Sequence, residues 1–263
     1  MESGPHRAPG GEVNQPEFSP AFSAETTERF GRPFRYFPVA VSSEAMALAW
    51  ANTEDAPQGA TVLVDHEIGP RGLHGRLWTP ALTDSLACAV VVRPELSAEE
   101  GEALWLLAGL SAADAAEAVL GSPVQTWWPD EAVVTGTRDT LAAVRAEIQL
   151  GPGKVKTSVV TIRMDLVALG LGRERRDEAL AAVVEAVDSR SAELAAEGPP
   201  GIAAAYESKC GVMGKRVKLT LLPKGETRGI AARVNRTARL ELESPTGMVE
   251  RIGVDQLRTL EVV

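Results

Sequence analysis

A loop rich in glycine and arginine is the segment of this sequence that most suggests chemistry. It reads GPRGLHGRLW, residues 69–78, and it follows the apolar run TVLV. Glycine lets the backbone approach a ligand closely, and the forked guanidinium of arginine binds carboxylates and phosphates. The loop therefore predicts a site for an anionic ligand. The alternative is a plain connection between strands, in which Arg71 and Arg76 only face solvent or pair with nearby acids and Trp78 packs on the core.

Four acidic residues stand near the motifs that suggest chemistry: Asp65, Glu67, Asp130 and Glu131. Converging carboxylates can hold magnesium or work as an acid–base pair. The spacing favours scattered surface acids over either site, because nothing in the sequence fixes the four carboxylates at one place.

Two serines and two tryptophans also have both a structural and a functional interpretation. Ser42 or Ser43 precedes the helical segment EAMALAWAN and fits a helix N-cap, with ligand contact as the alternative. Trp127 and Trp128 precede a proline, and they indicate core and pocket wall more than a stacking platform for a nucleotide base.

The elements that must position these residues alternate between strands and helices. FPVAV, TVLVD and LACAVVV are typical of short buried strands, and LAAVRAEIQL and KTSVVTIRMDL predict a hairpin around GPGK. A long helix rich in alanine and leucine begins after residues 97–100, and ERRDEALAAVVEAVDSRSAELAA is amphipathic. This mixture predicts an α/β domain of mixed sheet and helices over residues 35–200.

The two ends of the chain differ from this middle part. Residues 1–34 contain five prolines and no periodic apolar pattern, so we predict a disordered N-terminal segment. GPPG, residues 198–201, marks the predicted domain boundary. Five short alternating strands follow, and they predict a small all-β SH3-like barrel over residues 201–263.

Composition excludes several classes of protein. The chain has 27 basic and 36 acidic residues, a net charge of −9, which argues against the clustered cationic face of a nucleic-acid-binding protein. Its two cysteines, Cys88 and Cys210, and its three histidines form neither a disulfide framework nor zinc-ligand spacing. No apolar stretch reaches the ~18 residues of a membrane span, and the first residues lack a signal pattern. We therefore predict a cytoplasmic protein without a membrane or nucleic-acid partner.

The order of these segments resembles that of the biotin–protein ligases, within the biotin and lipoate protein ligase superfamily. That family has a Ser-Thr-Asn helix start, a loop ending Gly-Arg-x-Trp, a Trp-Pro-Asn-Asp motif, a Lys-x-x-Gly-Ile-x-x-Glu strand, a Gly-x-Gly-x-Asn strand and an SH3-like barrel. The corresponding segments here are Ser42-Ser43-Glu44, GPRGLHGRLW, Trp128-Pro129-Asp130-Glu131, the strand ending at Glu147, TIRMDL, and residues 206–263. The resemblance covers residues 37–263.

The resemblance implies a biotin/lipoate-ligase-like catalytic domain followed by the barrel. It implies biotin and ATP as substrates, Mg²⁺ as cofactor, and a lysine of a biotin-carrier domain as acceptor. Family members are often dimers, so a homodimer is implied as well. The positions that it assigns to ligand binding are Ser42, Ser43, Arg71, Gly72, Gly75, Arg76, Trp78 and Trp128.

The sequence departs from the family at its two catalytic cations. Leu73 stands in place of the arginine, and Thr140 in place of the lysine. Further departures at ligand-facing positions are Glu67, Pro70, Trp127, Asp130, Ala143, Thr161, Arg163 and Asp165. These changes predict a less positive and narrower pocket. Arg138 and Arg163 are the candidates for a compensating cation.

These observations leave two main hypotheses for the function. The first is ATP-dependent activation of biotin or a related carboxylate and transfer to a carrier-domain lysine, with activity weakened or lost. The alternative is a pseudoenzyme, a non-catalytic ligase homologue that binds a ligand or a partner protein. The resemblance favours the first hypothesis, whereas the residues favour the second. A third hypothesis, new chemistry by the gained carboxylates, has no positive motif.

Overall fold

The computed structural model describes residues 25–75 and 84–263. The described residues form a large mixed sheet with helices on both faces and a smaller antiparallel sheet. The strands are β1 (Glu25–Arg29), β2 (Arg32–Ala40), β3 (Thr61–Glu67), β4 (Ser85–Val92), β5 (Val124–Trp127), β6 (Glu131–Val134), β7 (Thr140–Gly151), β8 (Lys154–Asp165), β9 (Arg216–Leu221), β10 (Glu226–Val234), β11 (Leu240–Glu243), β12 (Val249–Ile252) and β13 (Leu257–Val262). The helices are α1 (Ser43–Thr53), α2 (Ala103–Leu120) and α3 (Arg176–Lys209).

The large sheet has the strand order β1-β2-β3-β4-β8-β7-β6-β5. Only the β2–β3 pair is parallel among the described strands of this sheet. Helix α1 packs on one face, against Ala89 and Val159, whereas Cys88 and Val90 point to the opposite face and the core under α2 and α3. Because helices cover both faces, β4 is apolar at successive positions. The prediction of a buried strand at LACAVVV is thus confirmed.

Helix α2 corrects the expectation that no segment could span a membrane. With 18 residues, the helix is long and apolar enough to cross a membrane when only length and composition are considered. Most of the helix is buried, with Leu104, Leu107 and Leu110 in the main apolar cluster that also contains α3 and the sheet. It therefore has the surroundings of a core helix in a folded domain.

The C-terminal strands form the all-β unit that the sequence predicts. Their order is β12-β11-β10-β9-β13, and each neighbouring pair is antiparallel. Val217, Leu219 and Leu240 belong to the same apolar cluster as α2, so the two sheets share one continuous core.

The prediction of disorder is wrong for residues 25–34. Strands β1 and β2 form an antiparallel hairpin at the edge of the large sheet. Phe34 is buried, and Arg29 forms an ion pair with Asp177 of α3 at 2.6 Å. The five prolines of residues 1–34 concealed a short polar edge strand that tertiary contacts stabilise. Residues 1–24 lie outside the described part of the chain.

The predicted boundary between residues 200 and 201 falls inside α3, which continues to Lys209. Gly198 has φ 68°, a left-handed value that glycine adopts readily, and it bends the helix. Pro199 begins the next turn, where a missing N–H costs little. The GPPG segment is therefore a bend, and the second sheet starts only at Arg216.

Candidate functional site

The α1-facing side of β4, β8 and β7 brings several predicted residues together. The strand register places Ala87, Arg163 and Ala143 in one row across the three strands. The adjacent row holds Ala89, Thr161 and Arg145. The N-terminus of α1 and the loop at residues 69–75 border these rows through the contacts described next. We call this surface the α1 face.

A buried ion pair occupies the first row. Arg163 is 8% exposed and pairs with Glu67 at the end of β3. Glu67 Oε1 in turn accepts hydrogen bonds from Ser43 N at 2.7 Å and from Ser43 Oγ at 2.8 Å. Burial lowers the pKa of Arg163 to about 10, which leaves the guanidinium charged at neutral pH. The compensating cation predicted at residue 163 thus lies on the face, but a carboxylate of the same chain already binds it.

The two serines at the start of α1 serve the fold in this structure. Ser42 Oγ accepts a hydrogen bond from Ala45 N at 3.1 Å, which is an N-cap. Ser43 is bound to Glu67 as described, and both serines are buried. The N-cap interpretation of Ser42 is confirmed, and ligand contact by either serine stays a prediction.

A second cluster of charges is centred on Arg145, which the sequence interpretation missed. Its Nε lies 2.8 Å from Glu44 Oε2, and its Nη2 donates to Glu147 Oε2 at 2.9 Å. Its Nη1 donates to the carbonyl of Gly72 at 2.8 Å, so this side chain fixes the glycine-rich loop to β7. Burial raises the pKa of Glu44, the charges of Arg145 and Arg71 oppose that rise, and Glu147 adds to it. The alternation of side chains along β7 could have indicated this residue. Residues 143, 145 and 147 point to one face of the strand, and the apolar residues 142, 144 and 146 point to the other.

The loop itself is anchored at several points. Arg71 is exposed and lies near enough to Glu44 to affect its pKa, and Gly72 is buried. Leu73, at the position of the family's arginine, is half-buried against the main apolar cluster. His74 adopts φ 58°, and its ring Nε2 is within hydrogen-bonding distance of the Leu257 carbonyl in the C-terminal sheet. Gly75 ends this turn, and the predicted site residues Arg76 and Trp78 lie outside the described residues.

Three predicted residues lie away from the α1 face. Trp128 is buried in the core, where its Nε1 donates to the Ala238 carbonyl at 2.9 Å. Arg138 has φ 68° in an exposed turn, and its guanidinium lies 4.3 Å from the centre of the Trp127 ring. The role of Arg138 as a compensating cation stays a prediction. Thr140 is exposed at the start of β7.

The four acids considered as a magnesium site do not converge. Asp65 binds Tyr36 and Arg176, and Glu67 binds Arg163. No group of three or more His, Cys, Asp or Glu side chains within residues 25–75 and 84–263 is arranged to hold a metal ion. The described residues therefore do not form a magnesium site of three or more protein carboxylates.

A cleft of about 520 Å³ lies elsewhere, between the end of β4 and the bend of α3. Its lining includes Arg93, Leu96, Ser191 and Gly198. None of the predicted site residues lines this cleft, so it is separate from the α1 face.

Comparison with known proteins points to one family. No family model matches the chain. The bifunctional ligase/repressors BirA of Bacillus spizizenii and Bacillus subtilis are each 24% identical to it over 140 residues, which are 53% of this chain. The match spans 42% of each Bacillus protein, less than half of its length. The biotin–[acetyl-CoA-carboxylase] ligase of Mycobacterium tuberculosis is 25% identical over 215 residues, 77% of this chain and 80% of that protein.

Solved structures show the same relationship at the level of the fold. The biotin protein ligase from Aquifex aeolicus in complex with biotin and ATP superposes with a TM-score of 0.67 at 18% identity, covering 88% of this chain and 99% of that one. A biotin protein ligase-like protein of unknown function from Silicibacter sp. gives a TM-score of 0.66 at 15% identity, covering 88% and 97%. The chain therefore resembles the biotin protein ligases in sequence and has their fold.

Proposed function

We propose that this protein binds a small carboxylic acid on the α1 face and that its ability to activate that acid with ATP is weakened or lost. The observation that carries the proposal is that Arg145 and Arg163 each form ion pairs with glutamates of the same chain. Three carboxylates of the chain, from Glu44, Glu67 and Glu147, bind these two arginines. Arg71, which lies near enough to Glu44 to affect its pKa, is a third cation, so the cluster holds three cations against three anions.

Adenylation makes demands that this cluster meets poorly. A carboxylate oxygen attacks the α-phosphorus of ATP and pyrophosphate leaves, so two anions approach and negative charge builds up. Fixed cations and amide donors must stabilise that charge. One cation about 4 Å away contributes on the order of 4 kcal/mol at an effective dielectric near 20, or about three powers of ten in rate. Leu73 and Thr140 supply no charge where the resemblance expects two cations.

Biotin is the first acid to test. Solved relatives contain biotin together with ATP, or a biotinyl adenylate. The loop at residues 69–75 and the start of α1 stand in this chain where the resemblance expects ligand contacts. A carrier-domain partner, a homodimer and a cytoplasmic location stay predictions of the same resemblance.

An active ligase is the second candidate. The match to the Mycobacterium enzyme over 77% of this chain favours it. In that case Arg145, rather than residue 138 or 140, supplies the positive charge for the acid.

Calorimetric titration and ATP–pyrophosphate exchange together separate these candidates. We expect saturable binding of biotin or lipoate, with exchange of labelled pyrophosphate into ATP no faster than the enzyme-free background. Robust exchange with either acid contradicts the weakened-activity proposal. If neither acid binds at millimolar concentration, the binding proposal is wrong.

A further inference from the structure

Resting on the proposed function, we infer that Arg145 is the residue that binds the carboxylate of the ligand. The family motif leaves this position open: in Lys-x-x-Gly-Ile-x-x-Glu aligned on Glu147, residue 145 is an unspecified x. The assignment is therefore specific to this chain. Arg145 would take over the positive charge of the family's lysine, whose position Thr140 occupies.

Arg145 lies on β7, at one end of the second row of the α1 face. It pairs in register with Thr161 of β8, which pairs with Ala89 of β4. Ala143 precedes it on the same side of β7. A ligand lying across the small side chains of Ala89, Ala143 and Thr161 contacts the guanidinium of Arg145. The same guanidinium binds the carbonyl of Gly72 in the glycine-rich loop.

The contacts of Arg145 are those of a carboxylate-binding arginine. A guanidinium has five N–H donors in a fork that matches a carboxylate. Glu44, Glu147 and the Gly72 carbonyl engage three nitrogen atoms at 2.8–2.9 Å. Two of these acceptors are carboxylates, so the site already accommodates the chemical group that we assign to the ligand.

Glu147 is the internal group that a ligand displaces most easily. Its side chain is 38% exposed, whereas that of Glu44 is 14% exposed. Glu147 can rotate into water when a carboxylate of the ligand takes its place on Arg145. Glu44 then keeps the guanidinium oriented from the other side.

Thr161 provides a second, independent indication of a ligand. The residue is 8% exposed, and its Oγ1 has no hydrogen-bond partner within the described parts of the chain. A buried hydroxyl without a partner is costly and calls for an explanation. Arg145 is the residue of β7 that pairs with Thr161, so a ligand oxygen bound to Arg145 lies beside this hydroxyl. That oxygen would accept the missing hydrogen bond.

The test compares acids with their neutral amides. The dissociation constants of biotin and biotinamide, and of lipoate and lipoamide, are measured by calorimetry for the wild-type protein and for the variants Arg145→Gln, Glu147→Gln and Arg228→Gln. Arg228 is 56% exposed on the C-terminal sheet and serves as the charge-matched control. We expect the wild type and Arg228→Gln to prefer an acid over its amide by about tenfold or more, as a charge-assisted hydrogen bond provides. Arg145→Gln should bind the acid and the amide equally.

Glu147→Gln keeps the assignment testable if loss of Arg145 prevents folding. Removing the competing carboxylate should tighten acid binding several-fold and leave amide binding unchanged. An unchanged acid-to-amide preference in Arg145→Gln, or in Glu147→Gln if only that variant folds, overturns the assignment of Arg145 alone. If the wild type binds none of the four compounds, the proposed function fails together with the assignment.

Discussion

Replacing Arg163 with alanine tests the ion pair that occupies the α1 face. The substitution leaves the Glu67 carboxylate, whose side chain is 5% exposed, with the two hydrogen bonds from Ser43 as its remaining contacts among residues 25–75 and 84–263. Removing one partner of a buried pair costs about 3–5 kcal/mol, because the remaining charge is buried without compensation. In a chain of this size each kcal/mol lowers the melting temperature by about 2–4 °C. We therefore expect a fall of about 6–20 °C.

A double variant removes both charges and serves as the matched comparison. Arg163→Met combined with Glu67→Gln should recover most of the lost stability, since no buried charge is left without a partner and the glutamine amide oxygen can still accept the hydrogen bonds from Ser43. The exposed pair of Arg228 and Glu226 gives a surface control, in which Arg228→Ala should cost less than about 1 kcal/mol.

Urea unfolding followed by circular dichroism, with thermal scans alongside, measures these differences. If Arg163→Ala lowers the free energy of unfolding by less than about 1 kcal/mol, water reaches Glu67 and the ion pair is not buried in the folded protein. The same conclusion would follow if the double variant were less stable than Arg163→Ala alone.

Two further predictions concern the helices that support the sheet. A Cβ on Gly109 would lie 2.8 Å from Tyr206 Cε2, so Gly109→Ala should cost about 1–3 kcal/mol in thermal unfolding; an unchanged melting temperature would mean that α2 and α3 pack less closely. Burial acts to raise the pKa of Asp114, but hydrogen bonds from Arg190 and Lys209 outweigh it and leave the pKa lowered. A lowered carboxyl pKa stabilises the fold above the ordinary value of 3.8, and this contribution is lost as the pH falls through the folded-state pKa. Stability of Asp114→Asn should thus fall less than that of the wild type between about pH 5 and pH 3, and parallel curves would contradict the assignment.

Local patterns were sufficient to predict the elements that hold the site. Alternation in KTSVVTIRMDL predicted β8, and the uniformly apolar LACAVVV predicted a strand covered on both faces. The start of α1 was visible from Ser42, whose side chain caps the helix. These features depend on neighbours within a few residues, which a sequence displays directly.

The pairing of charges could not be predicted in the same way. Arg145 meets Glu44 across about a hundred residues, and Arg163 meets Glu67 across a similar interval, through a register that only the folded sheet defines. The prediction of Arg138 as a cation of the site used proximity along the chain. In the folded chain Arg138 has a left-handed φ, and its guanidinium lies 4.3 Å from the centre of the Trp127 ring, a contact that the sequence does not display.

We propose that the chain's own carboxylates neutralise the cations of the α1 face, and that two cations for adenylation are missing because Leu73 and Thr140 stand in their places. ATP–pyrophosphate exchange by the wild-type protein with biotin and magnesium tests both statements. We expect exchange at the enzyme-free background even when calorimetry shows that the acid is bound. Exchange that rises with protein concentration and saturates with biotin would show that the protein still supplies the positive charge that adenylation needs.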